Sequence, residues 1–151
     1  MKQILLFSLL IAFLQGFGQV DAGISSVNSP SGNICPGSIT PSVTLENFGG
    51  TTLTAVDILY NIDGATNSSY SWSGSLTPGG TINVTLPNLS STVGAHTFNA
   101  VTNSPNGNTD GNTLNDDGAE NFTITPAINY TATVSNSNCG ATDGSIIINA
   151  S

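Results

Sequence analysis

Positive charge is nearly absent from this sequence. Apart from a single histidine, Lys2 is its one basic residue, against nine acids in 151 residues. Charged residues are 7% of the chain, where about a quarter is usual in soluble proteins. The absence excludes whole classes of function. A nucleic-acid binder displaces counterions from phosphate with Lys and Arg, and a polybasic membrane patch needs the same side chains. Lysine Schiff-base chemistry and arginine clamps on phosphate go with them. A serine–histidine–aspartate triad would have to use His96, and the chain has no Gly-x-Ser-x-Gly elbow: Gly74 is followed by Ser75 and Leu76. By strand parity His96 shares a face with Phe98, as a structural residue at a strand start would. One histidine and two distant cysteines are too few for a zinc site. Glu46, Asp57 and Asp63 fall on different strands or turns, and nothing in their spacing converges them. No catalytic and no cofactor-binding residue is expected, and the chain reads as a non-enzyme.

What is present at the N-terminus is a secretory layout. Met1-Lys2-Gln3 is a short basic start, Ile4 to Leu14 an apolar run broken only by Ser8, and Gly16 and Gly18 supply small residues at alternate positions. Residues 1–18 read as a signal peptide cut after Gly18, with Ala22 as second candidate. The apolar run spans only about 16 Å as a helix, too short for a hydrocarbon core of about 30 Å. Removal takes Lys2 away and leaves nine acids with no Lys or Arg. No later stretch is apolar enough to cross a membrane.

The remainder alternates rather than showing helical spacing. Short apolar/polar runs end at Gly, Pro, Asn or Asp, the pattern of an all-β sandwich or barrel. The runs are 24–28, 42–47, 55–62, 69–75, 81–86, 96–102 and 120–125. Val43 and Leu45 share a face, as do Val56, Ile58, Tyr60 and Ile62. Ile82, Val84 and Leu86 are expected inward, and Phe122 aligns with Ile124. Asp63-Gly64 is a hairpin-type turn. Leu76-Thr77-Pro78-Gly79 has the Pro and Gly of a type II turn. Seven short strands over about 105 residues is the arithmetic of an immunoglobulin-like antiparallel sandwich, here assigned to 19–125. Residues 126–151 add two more strand-like runs, 130–135 and 145–149. They cannot bury a core alone and read as a linker and the start of a second β domain, so the chain is expected to be a fragment.

The segment 106–117 offers the best chemistry. Asn106, Asn108 and Asp110 alternate, Gly111 follows, and Asp117 stands eleven residues after Asn106. Oxygens at such spacing surround calcium in calcium-binding loops. The same residue types also build long polar hairpin loops, and no helices flank the segment as they flank an EF-hand. Calcium, not required for the fold, is the one metal expected, at Asn106, Asn108, Asp110 and Asp117. Tyr60, Tyr70 and Trp72 are the aromatics available for stacking a sugar, although Tyr70 and Trp72 share a face with Leu76, as core residues would. A carbohydrate-binding module requires them in solvent. An ice-binding surface requires a sustained Thr-x-Thr repeat, which is lacking.

Several of these motifs resemble a known family. Val43-Thr44-Leu45-Glu46-Asn47-Phe48-Gly49 resembles the V-x-x-x-N-x-G strand of CARDB-type domains, bacterial adhesion-related immunoglobulin-like modules. Leu76-Thr77-Pro78-Gly79, followed by Ile82 and Val84, resembles their L-x-P-G turn. Residues 94–98 and 106–117 resemble their last hairpin. The resemblance covers about 21–125. The tail, with Cys139-Gly140-Ala141-Thr142-Asp143-Gly144-Ser145, is similar to the start of repeats in gliding-type surface adhesins of Bacteroidetes. It implies an exported, multidomain chain at a bacterial cell surface, with adhesion or spacing as its work. The partners implied are neighbouring domains of the same chain, surface glycans and other surface proteins. Cys35 and Cys139 are even in number in an exported chain, which favours a disulfide; the resemblance instead implies that Cys139 pairs with a cysteine further downstream.

Overall fold

A computed structural model describes residues 19–150; segment 1–18, where a signal peptide is expected, lies outside the described residues. Ten strands run in order: β1 (Ala22–Ser29), β2 (Gly32–Ile34), β3 (Ser42–Asn47), β4 (Leu53–Ile62), β5 (Ser68–Leu76), β6 (Thr81–Thr85), β7 (Gly94–Asn103), β8 (Asp117–Ile124), β9 (Tyr130–Ser135) and β10 (Ser145–Ala150). They form a three-stranded sheet β1-β3-β6, a five-stranded sheet β2-β8-β7-β4-β5 and a separate hairpin β10-β9. The first two sheets face each other as an immunoglobulin-like sandwich. Every pair within them is antiparallel except β2–β8.

Alternation explains the core. On β3, Val43 and Leu45 are fully buried; on β4, Val56, Ile58 and Tyr60 point the same way. On β7 and β8 the inward set is Phe98, Ala100, Phe122 and Ile124. These side chains from both sheets join one hydrophobic cluster, which is what a period of two with one wet face produces. Trp72 is 7% exposed, with Tyr70 packed against the same cluster.

The two turns read from sequence form as their residues require. Asp63 and Gly64 both have positive φ, 56° and 70°, and the Ala65 N–H donates to the Ile62 carbonyl at 3.1 Å. Gly79 has φ 71°, and the Gly80 N–H donates to the Thr77 carbonyl at 2.8 Å. Asn47 is the hub behind the second turn. It is 1% exposed. Its side-chain amide donates to the carbonyls of Thr51 and Leu76, each at 2.8 Å, and its oxygen accepts from Gly49 N–H at 3.0 Å. Its backbone bonds to Gly79 and Gly80. The residues that spell the V-x-x-x-N-x-G and L-x-P-G motifs thus meet at one buried asparagine.

Some expectations are corrected. The chain crosses between the sheets at Pro30, which has no N–H to give a ladder, and the short parallel strand β2 follows; three residues are too few to show alternation. Ile82 is 41% exposed rather than inward, because β6 is the edge strand of its sheet. Cys35 and Cys139 are both exposed free thiols, not a disulfide pair. Cys139 sits between β9 and β10, which bond only to each other, so no ladder draws it toward Cys35. On that hairpin Val134, Ile146, Ile147 and Ile148 are all more than half exposed.

Candidate functional site

Polar side chains gather at two places, set by the two ends of β7. Residues 96 and 102 lie about 20 Å apart along that strand.

At the first end, His96 is clasped. Its Nδ1 lies 2.7 Å from Asp63 Oδ2 and its Nε2 2.8 Å from the Thr92 carbonyl. The ring stacks on Phe122 at 5.4 Å between centroids, and the side chain is 8% exposed. A carboxylate and a carbonyl only accept, so the arrangement calls for protons on both ring nitrogens. The bond to Asp63, then that to Thr92, raises the imidazole pKa above its ordinary value. The same bond, with the Thr97 N–H at 2.8 Å from Asp63 Oδ1, lowers the Asp63 carboxyl. Ser91 Oγ is 3.3 Å from both ring nitrogens, so a serine, a histidine and an aspartate are neighbours. They are not poised for nucleophilic attack: both nitrogens already donate, and no lone pair remains to take the serine proton. The group ties the β4–β5 turn and the segment before β7 to the start of β7.

At the second end, the loop between β7 and β8 is laced to the N-terminal segment. Gly111 N–H donates to the Val20 carbonyl and Ile24 N–H to the Asn115 carbonyl. Ala22 N–H donates to Asp110 Oδ2 at 3.1 Å, Asn112 N–H to Asp110 Oδ1 at 2.9 Å, and Asn115 Nδ2 to Asp21 Oδ1 at 3.0 Å. Thr102 Oγ1, buried, donates to the Ala22 carbonyl. A cleft of about 420 Å³ opens here, lined by Thr102, Asn108, Thr109, Asp110, Asp116 and their neighbours. Asp116 is 8% exposed, and its Oδ1 has no hydrogen-bond partner in the protein; the buried Oδ1 of Asn115 has none either. Burial, then the charges of Asp110 and Asp21, push the Asp116 carboxyl up to about 6. Burial also raises Asp21, with Asp110 adding to it against the bond from Asn115.

Of the four residues expected to hold calcium, Asn108 and Asp110 line this cleft and Asn106 and Asp117 do not. Asn106 is engaged elsewhere. Its oxygen accepts from the Thr54 N–H at 2.7 Å, the Thr54 hydroxyl and the Ala55 N–H, and its amide donates to the Thr52 carbonyl. Asp117 is exposed at the start of β8. The sequence reading missed Asp116 and Asp21. Parity held the signal for Asp116, which is in step with the inward Phe122 and Ile124. Asp21 had none, because it arrives from the other end of the domain. Glu46, Asp57 and Asp63 are not brought together: Glu46 is on the three-stranded sheet, Asp57 accepts from Ser71 at 2.6 Å, and Asp63 holds His96. Among the described residues no three His, Cys, Asp or Glu side chains form a metal-holding group by themselves, and no helix is long and apolar enough to cross a membrane.

No family model and no curated protein matches the chain. Solved structures do. A crystal structure of the CARDB domain of the PF1109 protein from Pyrococcus furiosus, in complex with di-metal ions, superposes with TM-score 0.59 at 20% identity, over 74% of this chain and 98% of that one. A solution structure of the same domain gives TM-score 0.55 at 18% identity, over 71% and 96%. The fold is therefore an immunoglobulin-like β-sandwich of CARDB type, and at this identity the likeness is one of fold.

Proposed function

We propose that the chain is a non-catalytic structural and adhesive module of an exported bacterial surface or secreted protein, a rigid acidic spacer that presents its loops. The observation that carries this reading is where the side chains have gone. Large aromatics fill the core, and hydroxyls and amides on the outer face of the three-stranded sheet bond one another, as in Ser26–Thr44–Asn83. That face is polar and wet, as a spacer requires. Export through cleavage after Gly18 fits the packing: the carbonyls of Gln19, Val20 and Asp21 accept from Gly50, Gly111 and Gly49. Cleavage after Ala22 would discard all three bonds. Calcium belongs to this proposal as a stabiliser of the β7–β8 loop, not as a required cofactor; the metal-bound Pyrococcus domain supports looking for it.

The test is a swap in the producing cell. An unrelated β-sandwich of similar length in place of residues 19–125 should preserve surface display and lose only the adhesion made by the loops, and a Gly/Ser linker of equal residue count should preserve neither. Equal performance of the linker would remove the spacer role. The rival reading, a carbohydrate-binding accessory module, needs exposed aromatics, and burial of Trp72 opposes it. Glycan-array retention lost in Tyr70→Ala would install that reading instead.

A further inference from the structure

We propose that the cleft between β7 and the β7–β8 loop is a calcium site whose anionic ligands are Asp110 and Asp116. The inference rests on the calcium part of the reading above and assigns it residues. Asp116 lines the cleft and carries a buried carboxylate oxygen with no hydrogen-bond partner, and an unsatisfied buried charge is costly. No Lys or Arg side chain lies among residues 19–150 to set against it. The one lysine is Lys2, and the one histidine is bound to Asp63 at the other end of β7. A cation bound in the cleft would neutralise the buried charge. The surrounding donors are of one chemical kind: carboxylates, the Asn108 amide, and the Thr102 and Thr109 hydroxyls. No thiol or imidazole lines the cleft, so the set suits a hard divalent cation and not zinc or copper.

The carboxylate of Asp110 is already held by two backbone N–H groups, from Ala22 and Asn112, so a ligand there meets a fixed acid. Two acids among neutral oxygens make a site of low charge, which belongs to the extracellular class with dissociation constants of about 10⁻⁴–10⁻³ M. An ion here would fasten Asp21 to Ile24 more firmly onto the loop, because Asp110 and Asn115 already bond to that segment.

The experiment is thermal unfolding of the purified full chain in about 10 mM calcium and in chelator. The wild type should melt about 5 °C higher with calcium. Asp116→Asn should fold in chelator, since it removes a buried charge, and should lose the shift. Asp143→Asn, in the separate hairpin, should keep it. If Asp116→Asn does not fold, Asp110→Asn carries the same test, with equilibrium dialysis against calcium as the direct readout. A shift that survives both substitutions puts calcium elsewhere and overturns this assignment while leaving the calcium reading standing. No shift in the wild type overturns both.

Discussion

At the scale of single residues, two side chains carry more than their size suggests. Asn47 satisfies two carbonyls and one N–H in a place water does not reach. Asn47→Ala strands those groups, and each unsatisfied buried partner costs about 1–3 kcal/mol. Urea unfolding should show a loss of about 3 kcal/mol. His96 is the second. Its pKa is raised in the folded state, so its contribution is fully present below the unfolded value of about 6.5 and is lost as pH rises through the elevated folded value. Asp63 is lowered, so its contribution is present above about 3.8 and fades as pH falls through the depressed value. The clasp is strongest between those limits. Melting curves of wild type and His96→Gln should differ most near pH 5 (about the middle of that window) and converge on the alkaline side. A constant difference across pH would show that the ring acts by packing on Phe122 alone.

At the scale of elements, the N-terminal segment decides how the sandwich closes. Gly49 lies against it so closely that an added Cβ would meet the Gln19 carbonyl at 2.5 Å and the Asp21 nitrogen at 2.8 Å. Both contacts are backbone and cannot swing aside. Gly49→Ala should cost about 2 kcal/mol through overpacking. Hydrogen exchange should report the loss first at Gly49, Gly50 and Gly111, whose N–H groups bond to residues 19–21. The same segment reaches the β7–β8 loop. Local sequence reading could not anticipate that, because Ala22 and Asp110 are 88 residues apart.

For the whole molecule, the body and the β9–β10 hairpin form separate sheets. A two-stranded hairpin is marginal alone in water. Residues 19–125 should fold without it, and a chain ending at residue 125 should melt within about 2 °C of the longer one, since the core cluster lies entirely within 20–124. A collapse of the shortened protein would mean that the hairpin supports the sandwich.

Alternation with a period of two was enough to place seven strands. Each sheet face is wet or dry, and a side chain must match its face. Asp63-Gly64 and Pro78-Gly79 were legible for a similar reason: positive φ is a local steric demand. Local chemistry did not reveal which polar groups meet. Asn106 has the spacing of a ligand, yet it caps β4, because the turn beside it points its amide at Thr54 and Ala55. Asp116 looks like one more acid in an acidic loop until β8 turns it inward and β1 brings Asp21 beside it. Residue order alone was enough for the sandwich, its turns and the absence of Lys and Arg from residues 19–150. Where that absence matters emerged with the packed sheets, because burial and long-range contact belong to them and not to the strands read one at a time.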